Sequence, residues 1–243
     1  MSRVAALLAK DVRGITRDRF LLFLLLYAAL FPLLLRVVLP HLAIPHLQLY
    51  LAPAPPIFGA LLAGTVLGFS LIEERESGTL QLMRVLPQGE ATQAFYLVGA
   101  TTAISGLTAG VCSLLYGMPV QRPLLHGALL VATAAGGPLL MLCLGVFAEN
   151  KIEGLALSKI ASLPSAVPIL LFVVPGAWQG LLAWSPWYWI YLGMLRAYAG
   201  DAELAETGLA FPALPEAAFW LVPLVLCAGC GALLARRLQR LVA

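Results

Sequence analysis

Three carboxylates fall within four residues at Glu73, Glu74 and Glu76, with Arg75 among them and Ser77-Gly78-Thr79-Leu80 following. Residues 51–72 ahead of this run hold no Asp, Glu, Lys or Arg, and beyond Glu90 the chain is uncharged as far as Arg122. A carboxylate at the centre of a bilayer costs about 2.5–3.5 kcal/mol on insertion scales, so such a cluster must sit outside the hydrocarbon. The chemistry open to it there is the presentation of charge. The run reads as a compact polar connection between two membrane helices, placed where an outside surface can grip it.

A second cluster is Glu149-Asn150-Lys151-Ile152-Glu153-Gly154, with Lys159 behind it. Glu149 and Glu153 are one helical turn apart, a like-charge pair that is mildly unfavourable on its own helix. A partner surface offering Arg or Lys explains the pair; an ordinary solvated loop is the alternative.

Other chemistry is not supported. The lysines are Lys10, Lys151 and Lys159, none preceded by Gly, so the phosphate-cradling Gly-x-x-x-x-Gly-Lys-[Ser/Thr] loop is missing and this chain does not bind ATP by that route. His41, His46 and His126 follow no metal-ligand spacing and read as interface histidines; no metal site and no catalytic residue is expected. Cys227 and Cys230 have CxxC spacing but lie within an apolar stretch, where thiols stay neutral and unreactive. Small neighbours such as Gly229 and Gly231 suit close helix packing instead. No Ser–His or paired-Asp arrangement at membrane depth suggests an intramembrane hydrolase.

These clusters need elements to hold them, and the composition says which. Of 243 residues, 61% are hydrophobic and 11% charged, and the mean hydropathy is +0.92. Soluble domains carry about 25% charged residues. The chain is expected to be all-α, a polytopic membrane protein formed as a single domain over 1–243. A crossing helix takes about 20 mostly apolar residues. Gaps between charges place six, at roughly 20–39, 54–72, 94–116, 124–147, 160–183 and 217–235. Pro32 is positioned to kink the first, and Arg36 to snorkel to the headgroups at its far end. Residues 40–56, rich in proline, read as an external loop. With six crossings, 12 of the 15 basic residues share one side with both termini. The positive-inside rule makes that side the cytoplasm of a cell inner or plasma membrane.

Ahead of the first crossing, Val4, Leu7, Leu8, Val12 and Ile15 fall near helical spacing, with Arg3, Lys10 and Arg17 seven apart. Residues 1–19 therefore read as an amphipathic helix lying on anionic lipid, and they lack the apolar core of a signal peptide. The basic residues form no dense patch, so no nucleic-acid partner is expected. None of the six expected crossings contains Asp or Glu, which argues against a proton relay within this chain. A membrane protein of this kind borrows its energy.

In this order of features the chain resembles a permease of the type-2 ABC exporter superfamily, and within it the fluoroquinolone-type export permease branch. Three patches carry the likeness. Lys10-Asp11-Val12-Arg13-Gly14-Ile15-Thr16-Arg17-Asp18 is similar to the family's surface elbow helix. Glu73-Glu74-Arg75-Glu76-Ser77-Gly78-Thr79-Leu80, running on to Pro87, is similar to its coupling segment. Glu149-Asn150-Lys151-Ile152-Glu153-Gly154 with Lys159 is similar to its second cytoplasmic patch. The likeness spans nearly the whole chain.

The resemblance implies two permease subunits, alike or related, above two separate ABC ATP-binding subunits that hold the ATP and Mg; this chain itself needs no cofactor. A short helix from about Glu76 to Val85 would seat in the ATPase, making Glu73, Glu74, Glu76, Ser77, Gly78, Thr79, Leu80 and Arg84 coupling residues, with Glu149, Lys151 and Glu153 a second contact. A hydrophobic or amphiphilic substrate would leave outward or into the outer leaflet. Thr65, Ser70, Thr101, Thr102, Ser105 and Thr108 are the polar residues near its path, though each can equally bond its own helix backbone. Crossings one and five would meet the second subunit, where Ala28, Ala29, Gly176 and Ala177 permit close approach. Segment 184–216 would be re-entrant, with Trp187-Tyr188-Trp189 at headgroup level, as an ordinary aromatic belt would also place them. A non-transporting membrane anchor of immunity type, sequestering a ligand, is the rival reading; a neighbouring ATPase gene separates the two.

Overall fold

The computed structural model describes residues 19–42, 44–78, 90–172, 174, 176–200, 203–204 and 214–242. Of the expected surface helix over 1–19, only Arg19 lies among them. The described residues are all-α and 3-10, with no strand.

Helix α1 (Arg19–Val38) carries Pro32 inside it and ends in a 3-10 turn, Leu39–Leu42. Then follow α2 (Leu47–Leu51), α3 (Ala54–Glu76), α4 (Glu90–Tyr116), α5 (Pro123–Ala134), α6 (Gly136–Phe147) and α7 (Lys151–Ala161). Two 3-10 segments, Leu163–Phe172 and Gly176–Trp184, lead to α8 (Pro186–Tyr198), and α9 (Glu216–Val242) closes the order. By length and hydropathy, four stretches are able to cross a membrane: Leu47–Glu76, Tyr96–Tyr116, Pro123–Phe147 and Glu216–Leu238. A shorter apolar helix is Leu26–Leu42.

The expected crossings at 54–72 and 217–235 continue as helix into charged sequence, to Glu76 and Val242. Hydropathy marks only the part of a helix that fits lipid. The expected fourth crossing is two helices joined at Ala135. Pro138 has no N–H to give Ala134, which weakens the ladder there. The largest difference concerns 160–183. One continuous α-helix is not found; α7 ends at Ala161 and the chain goes on as 3-10 turns. Pro164 and Pro168 each lack the N–H that a continuous α-helix would use there.

The core is organised by α3, buried along almost its whole length. It runs parallel to α6, and Gly64 of α3 lies against the backbone of Gly137, where a Cβ would collide with the Gly137 carbonyl. Further along, Gly68 faces Leu144 and Gly145 faces Leu71. Small residues bring the two backbones into direct contact, the usual means of joining helices where lipid offers no hydrophobic driving force.

Helix α8 is buried too. Ile190, Leu192, Met194, Leu195 and Ala197 are wholly enclosed, and Trp187, Tyr188 and Tyr191 nearly so. The Trp187 ring fits against Gly136 at the break in the fourth crossing. The Ala197 carbonyl accepts from the N–H groups of Gln121 and Arg122, at 2.9 and 3.0 Å. Segment 186–198 thus reaches from Gly136 at the α5–α6 junction to the end where α4 and α5 meet. The rings of Trp187 and Tyr188 are buried within the bundle, and Trp187 packs on Gly136. Trp178 and Trp184 are the exposed tryptophans.

Residues 40–56 are also more ordered than a loop. Leu49 and Ala52 are buried, and two tyrosines fasten α2 to the bundle: Tyr116 donates to the Gln48 carbonyl and Tyr191 to the Tyr50 carbonyl, each at 2.6 Å. The leucines of Leu47-Gln48-Leu49-Tyr50-Leu51 supply the apolar face. Arg36 is exposed and donates to the Leu115 carbonyl near the end of α4 at 3.3 Å. His126 is no interface residue: it is buried, with Ser113 Oγ at 3.1 Å and Tyr198 Oη at 3.0 Å, and those two hydroxyls are 3.1 Å apart. A polar triangle therefore ties α4, α5 and α8 together.

Candidate coupling site at the charged end of the bundle

Helix α3 reaches Glu76 because nothing in Leu71-Ile72-Glu73-Glu74-Arg75-Glu76 breaks a helix; it stops where glycine permits a left-handed turn. Gly78 has φ +70° and donates its N–H to the Arg75 carbonyl at 3.1 Å, a Schellman-type ending. Ser77, the C-cap, turns its hydroxyl back to the Glu74 carbonyl at 3.2 Å. Glu73, Glu76 and Ser77 are exposed, and Glu74 and Arg75 half-buried. Thr79, Leu80 and Arg84 lie outside the described residues, as does the helix expected from Glu76 to Val85 beyond Gly78.

The second cluster opens α7. Asn150 is the N-cap, and its Oδ1 accepts from the Glu153 N–H at 2.9 Å. The Glu153 carboxylate in turn accepts from the Glu149 N–H at 2.7 Å. This is a capping box displaced by one residue, the returning side chain meeting the residue before the cap. It gives the Glu149–Glu153 spacing an internal purpose: Glu153 serves the helix start and sits where the helix dipole favours negative charge.

The two clusters, far apart in sequence, form one constellation. Lys151 Nζ lies 3.0 Å from Glu73 Oε2. Arg75 Nη1 donates to the carbonyl oxygens of Gly145 and Ala148, each at 3.3 Å, closing the C-terminal end of α6 with a cation. Gly154 is buried on α3, where a Cβ would stand 2.7 Å from Ile72 Cδ1 and 3.0 Å from Phe69 Cε1. Arg237 of α9 covers the Phe147 ring at 4.8 Å. The ends of α3, α6, α7 and α9 are therefore joined in a small platform of charge.

Arg75, Asn150, Gly154, Phe147 and Arg237 belong to this platform without being expected site residues. The Asn-x-x-Glu spacing is a readable cap signal. The partners of Arg75 are not readable, because a carbonyl acceptor leaves no mark in the sequence.

The polar residues of the crossings are mostly occupied. Thr65, Ser70, Thr101, Thr102 and Thr108 each donate to the carbonyl four residues back, at 2.7–3.3 Å. Ser105 Oγ is buried without a partner, against Gly137. Ala28, expected at a subunit interface, is 3% exposed, and its carbonyl lies 3.2 Å from Cys112 Sγ of α4.

The family model of the fluoroquinolones export permease protein Rv2686c-like family matches residues 11–225. Both charged clusters and every expected crossing except the end of the last fall within the match. No curated protein matches the chain.

Proposed function

The chain belongs to the Rv2686c-like family of export permeases, and on that premise we propose that it is the membrane subunit of an ATP-driven ABC exporter. The substrate class is hydrophobic or amphiphilic, drug-like or lipid-like, as the family's name and the apolar crossings both favour. The chain crosses the inner or plasma membrane six times, the fifth crossing falling at roughly 160–183 beyond the cytoplasmic start of α7, and with both termini in the cytoplasm. A second permease subunit completes the path. ATP and Mg are held by the separate ATP-binding subunit, and no step of catalysis belongs to this chain.

The observation that carries this reading is the platform itself. Glu73, Arg75, Lys151 and Glu153 meet at one end of the bundle, and the expected crossings carry no Asp or Glu. Energy applied at that platform is the remaining route to motion of the helices. The test is co-expression with an ABC ATP-binding subunit, followed by affinity purification and ATP hydrolysis in liposomes. Stable association and hydrolysis that rises with an amphiphilic substrate are expected. A permease that purifies without an ATPase, and cells whose efflux is unchanged by its deletion, would reject the reading.

A further inference from the structure

We infer that the acidic run serves two separate ends. Glu73 and Arg75 are positioning residues that fasten α3 to α6 and α7, and the partner-facing surface begins at Glu76. The inference rests on the reading of this end as the coupling site and deepens it. Glu73 is turned toward α7 by Lys151 at 3.0 Å. Arg75 is turned toward α6, with both Gly145 and Ala148 carbonyls at 3.3 Å. Glu76 and Ser77 are exposed at the tip of α3. Below these polar links, Gly154 sits on Phe69 and Ile72, and Gly64 sits on Gly137.

A displacement applied at Gly78 therefore reaches three elements at once. It passes along α3, through the Arg75 guanidinium to the end of α6, and through the Glu73–Lys151 pair to the start of α7. Gly64 lies on the Gly137 backbone and Gly154 on the Phe69 and Ile72 side chains, so the three elements are closely packed where the polar links join them. Both carbonyl groups are met by the one Nη1 nitrogen, so a Lys ammonium that reaches the same point would keep part of the link. Loss of either link would leave docking intact and let the helices lag behind the ATPase.

The experiment uses the whole exporter, purified with its ATP-binding subunit and placed in liposomes. The variants are Glu73→Lys, Lys151→Glu, the double reversal, Arg75→Gln, Arg75→Lys and Glu76→Lys. Glu73→Lys and Arg75→Gln are expected to hold the ATPase in wild-type proportion while transport per ATP hydrolysed falls by up to about fivefold. The double reversal restores the ion pair and most of the transport, and Arg75→Lys is intermediate. Glu76→Lys loses the ATPase. Should Arg75→Gln not accumulate, the ion-pair reversal decides alone. The inference is overturned if Glu73 or Arg75 variants shed the ATPase as Glu76→Lys does, or if the double reversal is no better than the worse single variant. Failure of the wild-type chain to bind any ATP-binding subunit would instead remove the coupling reading.

Discussion

Glu73 Oε2 and Lys151 Nζ stand 3.0 Å apart, joining the end of one long helix to the start of another. Their side chains are 58% and 42% exposed, so the pair contributes only about 0–1 kcal/mol. Its value is positional. The pair fixes which way the first turn of α7 faces, and the packing beneath holds the two helices together.

That packing can be tested at Gly154. A side chain there meets Ile72 and Phe69 at once. Gly154→Leu should cost about 1–3 kcal/mol through overpacking, read as a lower denaturation midpoint in mild detergent, and Gly154→Ala should cost less. A Gly154→Leu protein as stable as wild type would mean that α7 does not rest on α3.

The cap of α7 makes a local forecast. Asn150→Ala should destabilise the first turn by about 1 kcal/mol. Hydrogen exchange is the direct measurement: the amides of Glu149 and Glu153 should exchange faster, while those of α3 stay protected. Asn150→Asp should restore protection. Unchanged exchange at Glu153 in the alanine variant would contradict the capping geometry.

Ser113, His126 and Tyr198 form a closed polar triangle across three helices, and their contributions should not add. Ser113→Ala, Tyr198→Phe and the double variant form a cycle whose coupling should be about 0.5–1.5 kcal/mol, the range seen for hydrogen bonds between membrane helices. Unfolding in detergent supplies the readout. Strictly additive losses would show that the hydroxyls act separately.

The proposed second subunit is expected to meet the exposed face of α1. Phe23, Leu26, Leu30, Leu34 and Val37 are exposed at helical spacing, whereas Ala28 and Pro32 face inward. With Cys112, Cys143, Cys227 and Cys230 replaced, single cysteines at the exposed positions should cross-link between subunits, and Ala28→Cys should stay silent. A monomer mass in lipid, with no cross-link at any of these positions, would exclude the homodimer.

Much of the frame is legible from charge and hydropathy. Runs without charge cannot stay in water, so α1, α3, α4 and α9 lie close to where the sequence places them. The fifth stretch departs from expectation because hydropathy does not see hydrogen-bond pattern: Pro164 and Pro168 count as apolar, yet each removes a backbone donor from an α-helix. The depth of α8 is hidden for a related reason. An aromatic cluster beside a proline reads alike at a membrane surface and inside a bundle, and only the contact of Trp187 with Gly136 shows it packed inside. At the charged platform, each cluster is visible separately, but their meeting depends on α3 lying beside α6 and α7. That is set by glycine contacts whose partners the sequence does not name.

The burial of α8 bears on how the protein is made. Its 13 residues span about 20 Å at 1.5 Å each, short of the roughly 30 Å of hydrocarbon, so it has no stable resting place in lipid alone. Its end finds hydrogen-bond partners at Gln121 and Arg122, and the Trp187 ring finds its notch at Gly136. All three leave the ribosome before α8 does. The nascent chain thus builds the receptor first and delivers the short helix to it afterwards. α9 arrives last to cover the site, with the Arg122–Glu216 pair at 2.8 Å joining the start of α9 to the residue ahead of α5. A defect in the α5–α6 break would therefore show first as stalled insertion and proteolysis of the new chain, before any effect on transport.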